Sequence, residues 1–203
     1  MLAVGLVLTG LTTGCGSQGA RNTIKLGGNL EMTGESASYG ISSRNGIELA
    51  LKEQNEKGGV LDKKVELVVA DNKSEATEAT NAMQKLIPQD RVIGVIGPNL
   101  SSVVIASTAV SGAAKTAEIS PMGTNPQVTV DGLGKVKPYN FRACFIDPFQ
   151  GTVMAHFALN TPKVKRAAIM IDNSSDYSKG LAQFFKKQFE KGGGEVVAEE
   201  VYL

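Results

Sequence analysis

The chain has 203 residues, of which 42% are apolar and 20% charged, and 21 basic residues nearly balance 20 acidic ones at a formal net charge of +1. This composition is globular, excludes a disordered chain of low hydrophobicity, and gives no electrostatic reason to expect nucleic acid as a partner. One histidine and two cysteines are too few for a structural zinc site, which usually takes four Cys or His ligands, so no metal is expected.

The N-terminal segment is uncharged and differs from the rest of the chain. Residues 1–14 are rich in Leu, Val, Gly and Thr, are too short to span a bilayer, and predict a signal peptide. Leu11–Cys15 resembles a bacterial lipobox, in which cleavage leaves a diacylated N-terminal cysteine, although Thr12 stands where Leu is usual. We therefore expect lipidation of Cys15, a polar tether over residues 15–22 and stable anchoring to a membrane through two acyl chains.

Short apolar runs alternate with helical periodicity from Thr23 onward. The predicted strands are Thr23–Leu26, Val65–Val69, Val92–Ile96 and Ala117–Ser120. The helices between them are marked by Ile47–Gln54, Ala79–Ile87 and Ser101–Lys115. Because Val92–Ile96 is almost continuously apolar, we expect it to be buried on both faces. The β-α order predicts an α/β fold, with a parallel sheet and helices on both faces.

A long loop over Met122–Pro138 interrupts this alternation, and a second series follows it. A strand is predicted at Phe141–Phe145, and Asp147 is predicted to cap a helix whose first residue is Pro148. The next elements are a buried strand at Ala167–Ile171, a helix with Leu181, Phe184, Phe185 and Phe189 facing inward, and a strand at Glu195–Tyr202.

The second series holds too few strands to form a covered sheet. We therefore divide the chain into a first lobe over residues 23–143 and an incomplete second lobe over residues 144–203, and we expect it to be a fragment of a longer protein.

Hydroxyl and amide side chains follow four of the predicted strands, at the sheet edge where ligands of open α/β sheets bind. Several of these loops lead into helices, whose N-termini favour a carboxylate or a phosphate. Ser101 and Thr124 are placed to add hydroxyl donors there. Asp176 and Glu35 could serve a cationic group or only cap helices, and each hydroxyl alone could equally be an ordinary cap.

Enzymatic motifs are missing from the sequence. There is no G-x-S-x-G, P-loop or H-E-x-x-H pattern, and Gly27-Gly28-Asn29 lacks the glycine spacing of a dinucleotide site. Cys144 lies in an apolar run, and nothing pairs it with the single histidine, His156, so a structural thiol is expected. We therefore predict neither catalysis nor a cofactor.

Several stretches together resemble the periplasmic-binding-protein type I family, and most closely the branched-chain amino-acid-binding proteins of ABC importers. These stretches are Thr33–Gly40, Asn45–Ala50, Lys57–Leu61, Val95–Pro98, Ile119–Pro121, Thr124–Pro126 and Asp176–Leu181. The resemblance implies two α/β lobes joined by a hinge, with a ligand in the cleft between them. It also implies a chain truncated relative to the family, in which the acid that pairs with a ligand ammonium group lies beyond Leu203.

The resemblance also implies a set of ligand-binding residues. Ser101 matches a serine that holds the ligand carboxylate, Thr124 a threonine near the amino and carboxylate groups, and Tyr39 an aromatic residue at the cleft mouth. Tyr177 matches a tyrosine of the second lobe that closes over the ligand. The cleft wall is completed by Asn99, Leu100, Met122 and Gly123.

The function implied is that of an extracytoplasmic receptor, anchored by lipid to the cell membrane, that delivers a branched-chain or similar small amino acid to an ABC permease. A periplasmic location is the alternative to membrane anchoring. A ligand-binding sensor domain and a receptor for an amide or urea-type solute remain open. A transmembrane segment further along the chain would favour the sensor.

Overall fold

The computed structural model describes residues 23–161 and 163–203, so the predicted signal peptide and Cys15 lie outside the described residues. Five parallel strands form one sheet and two parallel strands form another. The first sheet contains β1 (Thr23–Leu30), β2 (Lys64–Asp71), β3 (Gly94–Ile96), β4 (Ala117–Ser120) and β5 (Asn140–Arg142), in the spatial order β2-β1-β3-β4-β5. The predicted α/β fold with parallel sheets is confirmed.

Three helices connect the strands of the first sheet: α1 (Ala37–Glu56), α2 (Ala76–Leu86) and α3 (Ser101–Ala113). The apolar period read from the sequence explains α2, because Ala79, Ala82, Met83 and Leu86 are its buried residues. Met83 and Leu86 pack with Val92 and Val95 in the hydrophobic core under the sheet. Helix α2 lies beside α3, while α1 packs on β1 and β2.

The third strand is shorter and less buried than the sequence predicted. It spans only Gly94–Ile96, and the side chain of Ile93 is 67% exposed. Val92 and Val95 do enter the core, whereas Ile93 lies just before the strand, where its backbone N–H donates to the carbonyl of Lys25 at 3.0 Å. An apolar run therefore predicted the strand correctly and overestimated its burial.

The second unit contains α4 (Asp147–Asn160), β6 (Arg166–Asp172), α5 (Asp176–Lys191) and β7 (Glu195–Tyr202). The aromatic residues of α5 face inward as predicted: Phe189 is fully buried, and its ring stacks on Phe185 with the centroids 5.2 Å apart. The α4 and α5 helices pack closely against each other, and α5 also contacts both strands.

One face of the second sheet is open among the described residues. We expected Ala167–Ile171 to be a buried strand, but burial alternates along β6, with Ile171 buried and Met170 74% exposed. The expectation was wrong because α5 covers one side of the two strands and leaves the side chain of Met170, on the other side, exposed.

The connection between the two sheets also differs in detail from the prediction. The strand expected at Phe141–Phe145 is limited to β5, and the long loop before it contains a short 3₁₀ helix at Pro126–Val128. Asp147 is not a helix cap: Ile146 holds that position, and Asp147 is the first residue of α4. Within residues 23–161 and 163–203, no helix has the length and apolarity needed to cross a membrane.

Candidate ligand-binding cleft

A cavity of about 620 Å³ lies between the two units. Its first wall is built by loops that follow β1, β2, β3 and β4, and its second wall by the loop after β6 and the first turns of α4 and α5. All the predicted ligand-binding residues except Gly123 line it: Tyr39, Asn99, Leu100, Ser101, Met122 and Thr124 on the first wall, and Tyr177 on the second. The carboxyl ends of the strands thus converge on one opening, as in other open α/β sheets.

Gly123 lies behind the wall, where its backbone N–H and carbonyl both form hydrogen bonds within the protein. Its N–H donates to the hydroxyl of Ser120 at 2.9 Å, and its carbonyl accepts from the guanidinium of Arg142 at 2.9 Å. The Ser120 hydroxyl in turn donates to the carbonyl of Pro98 at 2.7 Å. Gly123 and Ser120 therefore tie the loop after β4 to the loop after β3.

A buried carboxyl group holds the loop in front of α3. Glu31 is fully buried, and its carboxylate accepts from Asn99 N at 3.0 Å, Asn99 Nδ2 at 2.7 Å and Leu100 N at 3.3 Å. The side-chain oxygen of Asn99 accepts from Ser43 of α1 at 2.9 Å. Asn99 is therefore fixed on three sides, which positions Ser101 at the first residue of α3. Sequence reasoning singled out Asn99 and missed Glu31.

Ser101 has the geometry of a hydrogen-bond donor to a ligand. Its hydroxyl oxygen accepts from Asn125 N at 3.2 Å, and its own proton has no acceptor among the described residues. The first N–H groups of α3 have no partners within the helix and carry its partial positive charge. Because Ser101 lines the cavity at this end of α3, an anionic group placed there would meet a hydroxyl donor and helix N–H donors together.

Thr124 lies at the cavity wall, but its hydroxyl is directed into the protein. The hydroxyl oxygen of Thr124 and both carboxylate oxygens of Asp147 are buried. None of the three has a hydrogen-bond partner among the described residues. Burial raises the pKa of Asp147, and the nearby Thr124 hydroxyl and Arg142 guanidinium offset only part of this rise. The backbone N–H of Asp147 also donates to the carbonyl of Thr124 at 3.1 Å. Thr124 thus joins the two units at the back of the cleft.

Arg142, at the end of β5, braces the loop that carries Thr124. Its guanidinium donates to the carbonyls of Gly123 and Asn125 at 2.9 Å, to the carbonyl of Pro126 at 3.1 Å and to the Thr129 hydroxyl at 2.8 Å. These four hydrogen bonds use the fork geometry of the side chain and tie the loop after β4 to β5. The sequence contained no sign of this role.

The rim of the cavity is organised by Asp71 at the end of β2. Its carboxylate accepts from the N–H groups of Met32, Thr33 and Lys73 and from the Thr33 hydroxyl, at 2.7 to 3.1 Å. Burial raises the pKa of Asp71, but the hydrogen bonds donated by these residues together lower it below the ordinary value of 3.8. Asp71 thereby fixes the segment leading to Tyr39 at the start of α1.

Hydrogen bonds cross directly between the two units beside the cavity. The hydroxyl of Ser102 accepts from Asp176 N at 2.8 Å, and Asn125 Nδ2 donates to the carbonyl of Asp176 at 2.8 Å. The N-terminus of α5 thus lies against the N-terminus of α3. Gly180 allows this approach, because a Cβ there would lie 2.9 Å from Asn125 Nδ2.

Two residues of the second wall were missed by sequence reasoning. Phe145 and Gln150 line the cavity, Phe145 just before α4 and Gln150 in its first turn. Gln150 Nε2 donates to the hydroxyl of Tyr177 at 2.9 Å. Sequence reasoning placed Phe145 inside a predicted strand and Gln150 in the helix after it, so neither was treated as a loop residue at a strand end. The proximity of Asp147–Pro148, a helix-start signal, was the only indication.

Neither Cys144 nor His156, the two other residues considered for reactivity, lines the cleft. Burial raises the pKa of the Cys144 thiol, and Arg142 offsets only part of that effect, so the reactive thiolate is disfavoured. His156 is exposed on α4. Across the described ranges, no group of three His, Cys, Asp or Glu side chains is arranged to hold a metal ion. The cavity is therefore equipped for binding through hydroxyls, amides and helix N-termini.

Comparisons with known proteins agree with this arrangement. A family model described as periplasmic binding protein matches residues 23–203. A Leu/Ile/Val-binding protein, BraC3, of Rhizobium johnstonii is 36% identical over 183 residues, which cover 90% of this chain and 48% of that protein. The chain spans about half the length of the curated relatives it matches.

Two solved structures of amino-acid-binding proteins are also similar to this chain. The leucine-binding protein LivK of Thermotoga maritima is 37% identical with a TM-score of 0.79, over 87% of this chain and 48% of that one. The branched-chain amino acid transporter substrate-binding protein LivJ of Streptococcus pneumoniae, solved in complex with isoleucine, is 37% identical with a TM-score of 0.80, over 89% of this chain and 50% of that one.

Proposed function

The chain belongs to the periplasmic binding protein family, and we propose from this membership that it is part of an extracytoplasmic receptor for an ABC importer. We propose further that the receptor captures a branched-chain or similar small amino acid. Relatives of this chain carry the name Leu/Ile/Val-binding protein, and a similar structure was solved with isoleucine. Binding followed by delivery to a membrane permease involves no chemical transformation of the solute.

The observation that carries this proposal is the environment of Ser101. A ligand carboxylate placed at the start of α3 would accept from the Ser101 hydroxyl, whose oxygen is already fixed by Asn125 N. It would also interact with the partial positive charge of the helix N-terminus. Leu100, Met122 and Phe145 supply apolar surface in the same cavity, which suits an aliphatic side chain.

The proposed roles of the remaining cleft residues follow from their places in the wall. Tyr39 would cover the ligand from the rim of the first lobe, and Tyr177 from the second lobe. Asn99, Leu100 and Met122 would form the wall beside the ligand. Thr124 would offer its backbone rather than its hydroxyl, because that hydroxyl is turned towards Asp147.

Closure of two lobes around the ligand is the proposed mechanism. We assign residues 23–143 to the first lobe and 144–203 to the second, because the chain leaves β5 at Arg142 and enters α4 at Asp147. The contacts from Ser102 and Asn125 to Asp176 would form on closure, and a ligand that touches both lobes would raise the population of the closed state. A permease would recognise that state.

We also propose that Cys15 is diacylated after removal of residues 1–14, which would tether the receptor to the outer face of the cell membrane. The support is the lipobox-like Leu11–Cys15 segment and the polar residues that follow it.

Isothermal titration calorimetry on the full-length gene product, expressed without residues 1–22, tests the proposed ligand class. L-leucine, L-isoleucine and L-valine are titrated separately, and urea, acetamide and benzoate serve as comparison solutes. We expect saturable binding of at least one amino acid and none of the comparison solutes at the same concentrations. Binding of urea or acetamide without any of the three amino acids would replace this proposal with an amide receptor.

A further inference from the structure

We propose that Gln150 is a positioning residue that directs the hydroxyl group of Tyr177 into the cleft. Gln150 Nε2 donates to the Tyr177 hydroxyl oxygen at 2.9 Å, and both side chains line the cavity from the second lobe. The inference rests on the proposed function in one respect, which is that Tyr177 contacts the bound solute. It assigns a role to Gln150 that neither the sequence motifs nor the relatives' names contain.

The packing of α4 on α5 sets the distance between the two side chains. Gly151 is buried against α5, and a Cβ at that position would lie 2.7 Å from Phe184 Cβ and 2.7 Å from Phe185 N. Ala155, one turn later, is fully buried in the same interface. These small residues bring the two helices together, so that Gln150 in the first turn of α4 reaches Tyr177 in the first turn of α5.

The direction of the hydrogen bond determines what Tyr177 can do. A tyrosine hydroxyl carries a single proton and can both donate and accept. While its oxygen accepts from the amide of Gln150, its proton remains free to be donated elsewhere. Since Tyr177 lines the cavity, an acceptor on a bound solute could take this proton. Gln150 also restricts the ring of Tyr177, which is 39% exposed.

A glutamate at position 150 would reverse this polarity. A carboxylate has no N–H to donate and accepts the tyrosine proton instead, so the hydroxyl would no longer be a donor towards the cleft. A leucine of similar size would remove the hydrogen bond and leave the tyrosine proton free. The two substitutions therefore separate the direction of the hydrogen bond from its mere presence.

Binding of L-leucine to the full-length gene product and its variants gives the first test. If the hydrogen bond from Tyr177 to the solute contributes about 0.5–1.5 kcal/mol net, Tyr177→Phe weakens binding about 2- to 13-fold. Gln150→Glu should weaken binding at least as much as Tyr177→Phe, and Gln150→Leu less. In the Tyr177→Phe background, both Gln150 substitutions should have little further effect. Gln183→Leu, on the exposed face of α5 outside the cleft, is the matched control and should bind as the parent does.

The ¹³Cζ resonance of Tyr177 gives a second test that needs no ligand. In protein with ¹³Cζ-labelled tyrosine, this signal is identified by its loss in Tyr177→Phe. We expect Gln150→Leu to shift this signal and Gln150→Glu to shift it further in the same direction, because the hydroxyl changes from accepting, to neither, to donating; Gln183→Leu should leave it in place. An unchanged chemical shift in both Gln150 variants overturns the inference, and so does undiminished binding of L-leucine by Gln150→Glu. If the parent protein binds no leucine, the proposed function fails while the resonance still decides the role of Gln150.

Discussion

Replacing Ser101 with alanine removes one hydroxyl group from the start of α3 and changes two interactions. The oxygen accepts from the buried Asn125 N at 3.2 Å, and the hydroxyl, which lines the cavity, donates to no described residue. The first interaction belongs to the fold and the second to the proposed carboxylate site. The substitution therefore has separate expected effects on stability and on affinity.

Both effects can be sized from the geometry. Leaving the buried N–H of Asn125 without its acceptor should lower the free energy of unfolding by about 1–3 kcal/mol. Losing a hydrogen bond to an ionised carboxylate is worth about 1.5–3 kcal/mol, which corresponds to a dissociation constant about 10- to 150-fold higher. The α3 N-terminus and the Glu31 carboxylate that holds the preceding loop stay in place, so binding should weaken without being abolished.

Calorimetry with L-leucine on the full-length gene product measures the affinity, and urea unfolding measures the stability. Ser111→Ala is the matched control, because Ser111 is a buried serine of the same helix that donates to Glu118 at 2.6 Å, away from the cavity. It should lose stability and keep the affinity. Equal affinity losses in the two variants, or no loss in Ser101→Ala, would refute the assignment of Ser101 to the ligand carboxylate.

Three further predictions concern the interface of α4 with α5, the cleft rim and the N-terminus. Gly151→Ala should lower the free energy of unfolding by about 1–3 kcal/mol in urea melts, because its Cβ would meet backbone and Cβ atoms of α5. Gly46→Ala, at an open position of α1, should instead raise it by about 0.5–1 kcal/mol; equal effects of both would contradict this account. Because the pKa of Asp71 is lower in the folded protein than its ordinary 3.8, its contribution to stability is full above that pH and is lost as the pH falls through the folded pKa. Asp71→Asn should remove this acid dependence, and a constant stability difference between variant and parent from pH 6 to pH 2 would argue against it. Cys15→Ala should release the full-length protein from membranes into the medium, and its retention in the membrane fraction would disprove lipid anchoring.

Much of the fold could be predicted because local sequence determines it. The apolar period of Ala79–Leu86 predicts α2, and the predicted strands at Ala117–Ser120 and Glu195–Tyr202 have the bounds that the structure gives them. Burial was less predictable. Ile93 and Met170 lie in apolar runs and are exposed, since their burial depends on whether another element covers that face of the sheet.

The candidate site was predictable to the extent that it follows the carboxyl ends of strands. That rule and the family resemblance identified Ser101, Thr124 and Tyr177, and all three line the cavity. They could not show that the Thr124 hydroxyl turns towards Asp147, because the orientation of a buried side chain depends on its neighbours. Nor could they identify Phe145, which the sequence placed inside a strand, or Gln150, which it placed in the following helix.

The sequence by itself determined the β-α alternation, the near-neutral charge and the motifs of the family, because periodicity, composition and short patterns are local properties. The tertiary structure alone decided which polar groups meet across long separations in the chain. Glu31 holds Asn99, Arg142 holds the loop before it, and Gln150 reaches Tyr177. These contacts depend on how sheets and helices pack, and nothing in the identity of either partner specifies the other.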